Sequence, residues 1–376
     1  MQYRPYGNQG IQLSALGFGC MRLPMEDGHV LEEPSIEMIR HAIDSGVNYV
    51  DSAYGYCGSE SEIVLGKALQ DGYREKVYLA TKNPKYDQDG SIWRAALDDQ
   101  LQRLQTDYID FYHQHGLNWK AYQDLKPVKG GPFDQFQRAL DEGLIKHRVF
   151  SFHDKAENLF PLVDTGEFDG VLLQYNLLDR SNEAGLAYAA GKGMGVVVMG
   201  PVGGGRLGQP SAEIAKLIPG GVKSTAEAAI RFVLANPNVT CALSGMTKLP
   251  DVVENLQTAS REEALSAAEK AHLQTMMEEN KKLAELYCTG CDYCLPCPNN
   301  VAISENFRIM NYHRVYGLTD HAKEQYRRLE RKRVSKEERV DARAVVCVEC
   351  GECIEKCPQN IPIIDQLKEV HATLGA

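Results

Sequence analysis

No apolar run in this chain is long enough to span a bilayer. The longest, such as Gly195–Met199, fall far short of the roughly 20 residues a membrane helix needs. The opening residues, MQYRPYGNQG, contain no apolar signal core, so neither export nor membrane insertion is expected. Positive charge is not in excess: 41 Lys and Arg face 51 Asp and Glu, for a formal net charge of −10. That balance argues against a nucleic-acid partner. No glycine-rich dinucleotide fingerprint follows the first strand candidate, which weighs against a doubly wound nucleotide-binding sheet. A flavin motif is likewise not evident. The remaining composition, 43% hydrophobic and 24% charged, is that of an ordinary soluble globular protein. At 376 residues the chain suits a large barrel plus an appendage, and a cytoplasmic location is expected.

Cysteine, by contrast, is concentrated. Eight of the eleven cysteines stand in two runs near the C-terminus, and each run ends in Cys-Pro. The first is Cys288, Cys291, Cys294, Cys297; the second is Cys347, Cys350, Cys353, Cys357. The second run has the C-x2-C-x2-C-x3-C-P spacing of bacterial [4Fe–4S] ligands, in which the fourth Cys serves the other cluster. The expectation is therefore two [4Fe–4S] clusters, one on Cys288, Cys291, Cys294 and Cys357, the other on Cys347, Cys350, Cys353 and Cys297. The first run is one residue tighter before its last Cys, so the reach of Cys297 is the point at issue. Zinc sites usually pair separated C-x2-C knuckles or mix Cys with His, and disulfides suit secreted chains; both fit less well. The clusters could carry electrons or be purely structural. A basic stretch, Arg327, Arg328, Arg331, Lys332 and Arg333, is interrupted by Glu330. It reads as a solvated helix face, with a docking patch for an acidic electron carrier as the alternative.

Up to about residue 285, short apolar runs alternate with amphipathic stretches. Eight strand candidates are Leu13–Gly19, Asn48–Ala53, Val77–Lys82, Tyr108–His113, His147–Phe152, Gly170–Tyr175, Gly195–Gly200 and Val239–Leu243. Helical spacing connects Ile36, Ile39 and Ile43; Ile63, Leu65, Ala68 and Leu69; Trp93, Ala96, Leu97, Leu101 and Leu104; and Ala228, Ala229, Phe232 and Val233. This repetition predicts an α/β fold, a (β/α)8 TIM barrel over residues 1–285, followed by a small ferredoxin-like α-helical iron–sulfur domain over 286–376. Gly116–Gly131, a long polar stretch after the fourth strand, is expected to be a substrate lid or a disordered insertion. Arg261–Leu286 reads as a linking helix, and the 49 residues between the Cys runs as a helix or two.

Barrel enzymes carry their chemistry at the C-terminal ends of strands. Asp51, Tyr56, Lys82 and His115 fall there. Segments bearing these residues resemble the aldo/keto reductase family: Asp with Tyr five residues on, Lys closing the third strand, and His115 rather than His113 after the fourth. The Cys runs resemble the branch of that family with a fused ferredoxin-like domain. The resemblance implies a carbonyl–alcohol oxidoreductase using NAD(P)(H). Tyr56 would act as general acid in reduction, Lys82 would stabilise its phenolate, Asp51 would hold Lys82, and His115 would orient the carbonyl. It further implies that Ser151, His153, Gln174 and Asn176 lie at the nicotinamide. Pro201, Gly203, Gly205 and Arg206 would wrap the pyrophosphate, and Gly245, Thr247, Lys248, Glu254 and Asn255 would hold the adenosine end. The family's Asn after strand five is Phe152 here. Its frequent 2′-phosphate cations are replaced by Gly245 and Asp251, leaving Lys248.

Nicotinamide passes electron pairs whereas iron–sulfur clusters pass single electrons, so two rival readings stand beside the first. In one, a ferredoxin or flavoprotein feeds a reductase through the clusters; in the other, the barrel is a scaffold for an electron-transfer subunit. The expected partners are a small carbonyl or alcohol and an electron carrier. Cys57, next to Tyr56, is either a packing residue or a redox thiol.

Overall fold

Eight short apolar runs close into one parallel barrel, in the order β3, β6, β7, β8, β9, β10, β11, β12 and back to β3. These strands are β3 Leu16–Gly19, β6 Tyr49–Asp51, β7 Tyr78–Asn83, β8 Ile109–Leu117, β9 Ile145–Phe152, β10 Gly170–Gln174, β11 Gly195–Met199 and β12 Cys241–Gly245. This computed structural model describes residues 1–85, 89–203, 207, 222–262, 265–273, 275, 278, 294–334, 338–357 and 361–375. The chain forms two compact units, Met1–Gly205 with Ala229–Leu265, and Arg206–Ala228 with Ser266–Ala376.

In the first unit the predicted strands form with two adjustments. Leu13–Gly19 divides: β2 (Gln12–Ser14) pairs antiparallel with β1 (Tyr3–Pro5), and only β3 enters the barrel. Ser14 makes the break, donating its hydroxyl to Leu16 O at 2.7 Å while its amide donates to Asn48 Oδ1. β8 runs on through His115 to Leu117. A further hairpin, β4 (Met25–Glu26) and β5 (His29–Val30), follows the first barrel strand.

Helices α1 Glu32–Asp44, α2 Ser61–Ala68, α3 Gly90–Leu104, α4 Trp119–Leu125, α5 Pro132–Asp141, α6 Leu159–Asp164, α7 Glu183–Gly191, α8 Thr225–Leu234 and α9 Leu249–Ala259 fill the gaps between strands. The stretch Gly116–Gly131 is thus not a disordered insertion, because helix α4 fills its middle. Asn118 caps α4 by accepting from Ala121 N, Trp119 stacks on Tyr122, and Tyr122 packs edge-on to Phe133. Tyr122 and Leu125 supply the buried face that a polar reading of the stretch overlooked.

The barrel interior is filled from every side by Tyr49, Ala80, Phe111, Val149, Leu172, Val197 and Leu243, with Tyr6 entering from the N-terminal hairpin. Tyr6 fits only because its neighbours lack side chains. A Cβ on Gly195 would stand 2.3 Å from its ring atoms, and one on Gly170 would stand 1.9 Å from its hydroxyl. Overpacking of a rigid core costs about 1–3 kcal/mol. Gly195→Ala is accordingly expected to lower stability by about 3 kcal/mol, read as the urea midpoint; an unchanged midpoint would show that Tyr6 moves aside freely.

The second unit contains α10 Ile303–Arg314, α11 Thr319–Arg328, the short hairpin β13 (Lys332–Arg333) and β14 (Arg339–Val340), α12 Glu352–Glu355 and α13 Ile363–Leu374. α10 packs on α11 and α13 around Phe307, Met310, Ala322, Leu367 and Val370. Asn306 joins the layers, donating to Ala302 O and Ala342 O and accepting from Ala344 N. The segment between the cysteine runs is therefore two helices and a hairpin. The expected linking helix is described only in part, over residues 267–273. Among the described residues no helix is long and apolar enough to cross a membrane.

Candidate active site and thiol cluster

Asp51 closes β6, and the chain after it turns through left-handed backbone at Cys57, Gly58 and Ser59. This turn brings the Tyr56 ring centre to 4.8 Å from Lys82 Nζ and 6.1 Å, edge-on, from the His115 ring. Lys82 reaches in from the end of β7. Its ammonium donates to Asp51 Oδ1 and to Ser52 O (2.6 Å), and also interacts with the Tyr56 hydroxyl. The four residues named from sequence as Asp51, Tyr56, Lys82 and His115 are thus brought together at one end of the barrel.

Lys82 and Asp51 are each 1% exposed. Burial alone would lower the Lys82 ammonium, but Asp51 and Tyr56 outweigh it and hold it above the ordinary lysine value. Burial lifts the Asp51 carboxyl while Lys82 pulls it down. His113 and His115, two apart on a strand, share its inward face. Burial, then Lys82 and His153, push the His115 imidazole down to about 4, so it is neutral at pH 7. Burial pushes His113 well below its usual value in the same way. His115 Nδ1 and Asp51 Oδ2 are buried and have no hydrogen-bond partner among the described residues.

Behind these residues lies a polar hub that the sequence reading missed. Glu62 and Gln100 are both fully buried. Gln100 Nε2 donates to Glu62 Oε1 (2.5 Å) and to Lys82 O (3.2 Å), Thr81 Oγ1 donates to Glu62 Oε1 (2.6 Å), and the Tyr112 hydroxyl donates to Gln100 Oε1 (2.5 Å). Arg103 extends the hub, pairing with Glu62 Oε2, donating to Tyr54 O and covering the Tyr54 ring at 4.4 Å. One buried network therefore grips the strand that carries Lys82, the strand that carries His115 and the loop that carries Tyr56.

The residues expected at the coenzyme are distributed unevenly. Ser151 Oγ accepts from Gly116 N at 2.8 Å, and its hydroxyl hydrogen remains able to donate. His153 is exposed at the mouth; partial burial of its ring, then Lys82, lower its imidazole. Gln174 Nε2 donates to Asp179 Oδ2. Asn176 is fully buried, donating to Gly200 O and accepting from Leu178 N and Asp179 N. It thus ties the β10 loop to the β11 loop. After β11 the backbone turns through left-handed glycines at Gly200 and Gly203, around a buried Pro201. Gly205 and Arg206 lie outside the described residues. Beyond β12, Thr247 and Lys248 are exposed, Glu254 is half-buried, and buried Asn255 donates to Ser244 Oγ. Gly245 is covered by a residue from another element: a Cβ built on it would meet Cβ, Cγ and Cδ of Arg22 at 3.3 Å. Arg22 follows β3, and its nearness to Gly245 arises from barrel closure, so only the register of β3 against β12 could have predicted it.

In the second unit, Cys297, Cys347, Cys350 and Cys353 line one cavity with Val301, Ile303 and Leu367, and Cys294 stands on its wall. Burial, then the thiols of Cys347, Cys297 and Cys350, raise the Cys353 thiol. These five cysteines and Cys357 form no disulfide, and Cys288 and Cys291 lie outside the described residues. No three His, Cys, Asp or Glu side chains among the described residues converge tightly enough for a single metal ion. Five thiols spread around a partly apolar cavity instead fit a polynuclear cluster, whose thiolates stand further apart than those on one zinc.

Residues 15–277 match the aldo/keto reductase family, and residues 287–361 match a 4Fe-4S dicluster domain. The chain belongs to the aldo/keto reductase family and is an oxidoreductase of that family with a C-terminal 4Fe-4S dicluster domain. It is 28% identical to L-galactose dehydrogenase of Arabidopsis thaliana over 75% of its own length and 96% of that protein. It is 26% identical to the uncharacterized oxidoreductase YqkF of Bacillus subtilis over 69% of its length and 92% of that protein. Among solved structures, the holo form of aldo-keto reductase AKR11C1 from Bacillus halodurans superposes with a TM-score of 0.63 at 28% identity, covering 73% of this chain and 96% of that one.

Proposed function

We propose that the barrel interconverts a small carbonyl and its alcohol with NAD(P)(H), and that the C-terminal domain, residues 286–376, binds two [4Fe–4S] clusters that transfer electrons. The observation carrying the barrel reading is the buried Asp51–Lys82 pair against Tyr56, with a neutral His115 beside them. The coenzyme, when bound, supplies the hydride. Tyr56 holds the proton that the carbonyl oxygen gains. Lys82, charged and fixed by Asp51 and Ser52 O, favours the phenolate left behind. His115 orients the carbonyl oxygen, and Ser151 offers its hydroxyl hydrogen to the nicotinamide amide. Asn176 acts at one remove, by fixing the loops around the coenzyme.

Arg22 is our candidate for the cation that the Gly245 side otherwise lacks, beside Lys248. Arg22→Ala is expected to weaken NADPH binding about tenfold, the loss of one hydrogen bond to a charged group, and to weaken NADH binding less. Fluorescence titration with each nucleotide reads this, and equal weakening of both would move Arg22 to the pyrophosphate. The test of the whole reading is anaerobic turnover of a panel of aldehydes and ketones with NADPH and NADH. Failure to bind either nucleotide would overturn it. The exposed Cys350 favours a second reading, in which a protein donor supplies electrons through the clusters; that reading predicts turnover with a reduced viologen.

A further inference from the structure

Cys350 is the one exposed thiol among the described cysteines, and the surface around it is unusual for this chain. Eleven large hydrophobic side chains among the described residues are exposed, and three of them, Val345, Val348 and Ile354, alternate with Cys347, Cys350 and Cys353. Val348, at 62%, is the most exposed of the eleven. The tight loop that presents it turns through left-handed backbone at Glu349 and Gly351. Exposed apolar side chains grouped together and rimmed by polar residues are a marker of an interaction surface.

The charge on this surface has one sign. Glu349, Glu352 and Glu355 are all exposed within the same stretch, and Asp365 is exposed on α13. Two lysines answer them: Lys368 pairs with Glu349 at 2.8 Å, and Lys356 stands 4.0 Å from Glu352. Four carboxylates against two ammonium groups leave a net negative rim. The basic stretch read from sequence as a possible dock, Arg327–Arg333, offers less. Arg328 is paired with Glu324, Lys332 with Glu305, and Arg343 draws on the intervening Glu330.

We propose that the apolar, acid-rimmed surface over Cys350 docks a small electron-carrier protein whose exposed cofactor edge is ringed by Lys and Arg. The inference rests on the electron-transfer reading above and assigns its partner surface and the sign of its charge. Val348 and Ile354 would fill the dry centre, and Glu349, Glu352 and Glu355 would steer the approach.

The test uses iron-loaded full-length protein and a basic c-type cytochrome as probe, with binding followed by calorimetry. Affinity is expected to fall about tenfold between low and moderate salt, as screening dictates. The variant Glu349→Gln/Glu352→Gln/Glu355→Gln should bind about tenfold more weakly at low salt, with a shallower salt dependence and an unchanged iron content. Val348→Ser should weaken binding without altering the salt slope. Undetectable binding by correctly loaded protein, binding indifferent to the triple substitution, or preference for an acidic ferredoxin over the cytochrome would each overturn the proposal. Dithionite titration of the same sample separates the two layers. Salt-sensitive cytochrome binding by a protein whose clusters accept no electron would retain the docking surface and sink the electron-transfer reading beneath it.

Discussion

Tyr56→Phe is expected to lower kcat about a thousandfold, within the range that general acid–base groups supply, while leaving coenzyme affinity unchanged. The argument is by electrostatics. A carbonyl that accepts hydride must also gain a proton, and three titratable side chains surround the site. The Lys82 proton is held above the ordinary lysine value by Asp51 and Tyr56, so it is the least available. His115 is driven down to about 4 by burial and by Lys82; at neutral pH it has no imidazolium proton to give. The Tyr56 hydroxyl remains, hydrogen-bonded to Lys82, with its ring edge-on to His115. The substitution removes that oxygen and little else, so the Asp51–Lys82 pair keeps its geometry. Steady-state kinetics with coenzyme titration measures the outcome. A loss below tenfold would refute Tyr56 as the donor and favour a barrel that serves as a scaffold. His115→Gln gives a second readout. Because His115 is already neutral, its replacement should raise KM and lower kcat without shifting the pH profile near neutrality.

Replacing Cys297 should remove the same iron as replacing Cys347. Each single Ser variant is expected to lose about half of the iron and of the visible cluster absorption, on the two-cluster reading. Cys297→Ser/Cys347→Ser should lose no more than either alone, because both sulfurs serve one cluster. Cys297→Ser/Cys357→Ser should lose nearly all, because those residues serve different clusters. The assignment follows the fourth-cysteine exchange expected from the spacing; the cavity supports it in that Cys297 joins Cys347, Cys350 and Cys353 there, with Cys294 also on the wall. Iron analysis of the four variants decides it. Near-total loss in the first double variant would mean that each run holds its own cluster.

Much of the barrel was legible because its signals are local. Strand candidates such as Gly170–Tyr175 and Gly195–Gly200 coincide with β10 and β11 to within a residue, since a buried parallel strand is a short unbroken apolar run. Asp51, Tyr56, Lys82 and His115, which the fold brings together at one end of the barrel, were legible as a set from their order along the chain. The hub behind it was not, because it inverts the helical stripe. Ile63 was assigned to the buried side of α2, yet it is 39% exposed, and neighbouring Glu62 is buried in its place. In α3, Gln100 is fully buried beside the expected Leu101, which is only half-buried. A polar side chain on the inner face of an amphipathic helix reads as noise until its partners are known. Here the partners, Thr81, Tyr112 and the Lys82 carbonyl, come from strands 19, 12 and 18 residues distant in sequence. Arg22 over Gly245 was hidden for the same reason, since the first and last barrel strands meet only when the barrel closes.

The cavity shared by both cysteine runs also bears on how the chain matures. Cys297 and Cys347 are separated by 49 residues, and those residues include α10, α11 and the β13–β14 hairpin. A ligand ring drawn from both ends of such a segment cannot be completed until the residues between them have folded and brought Cys297 and Cys347 to one cavity. On the cluster reading, a cluster held there would clasp the two ends of that segment together.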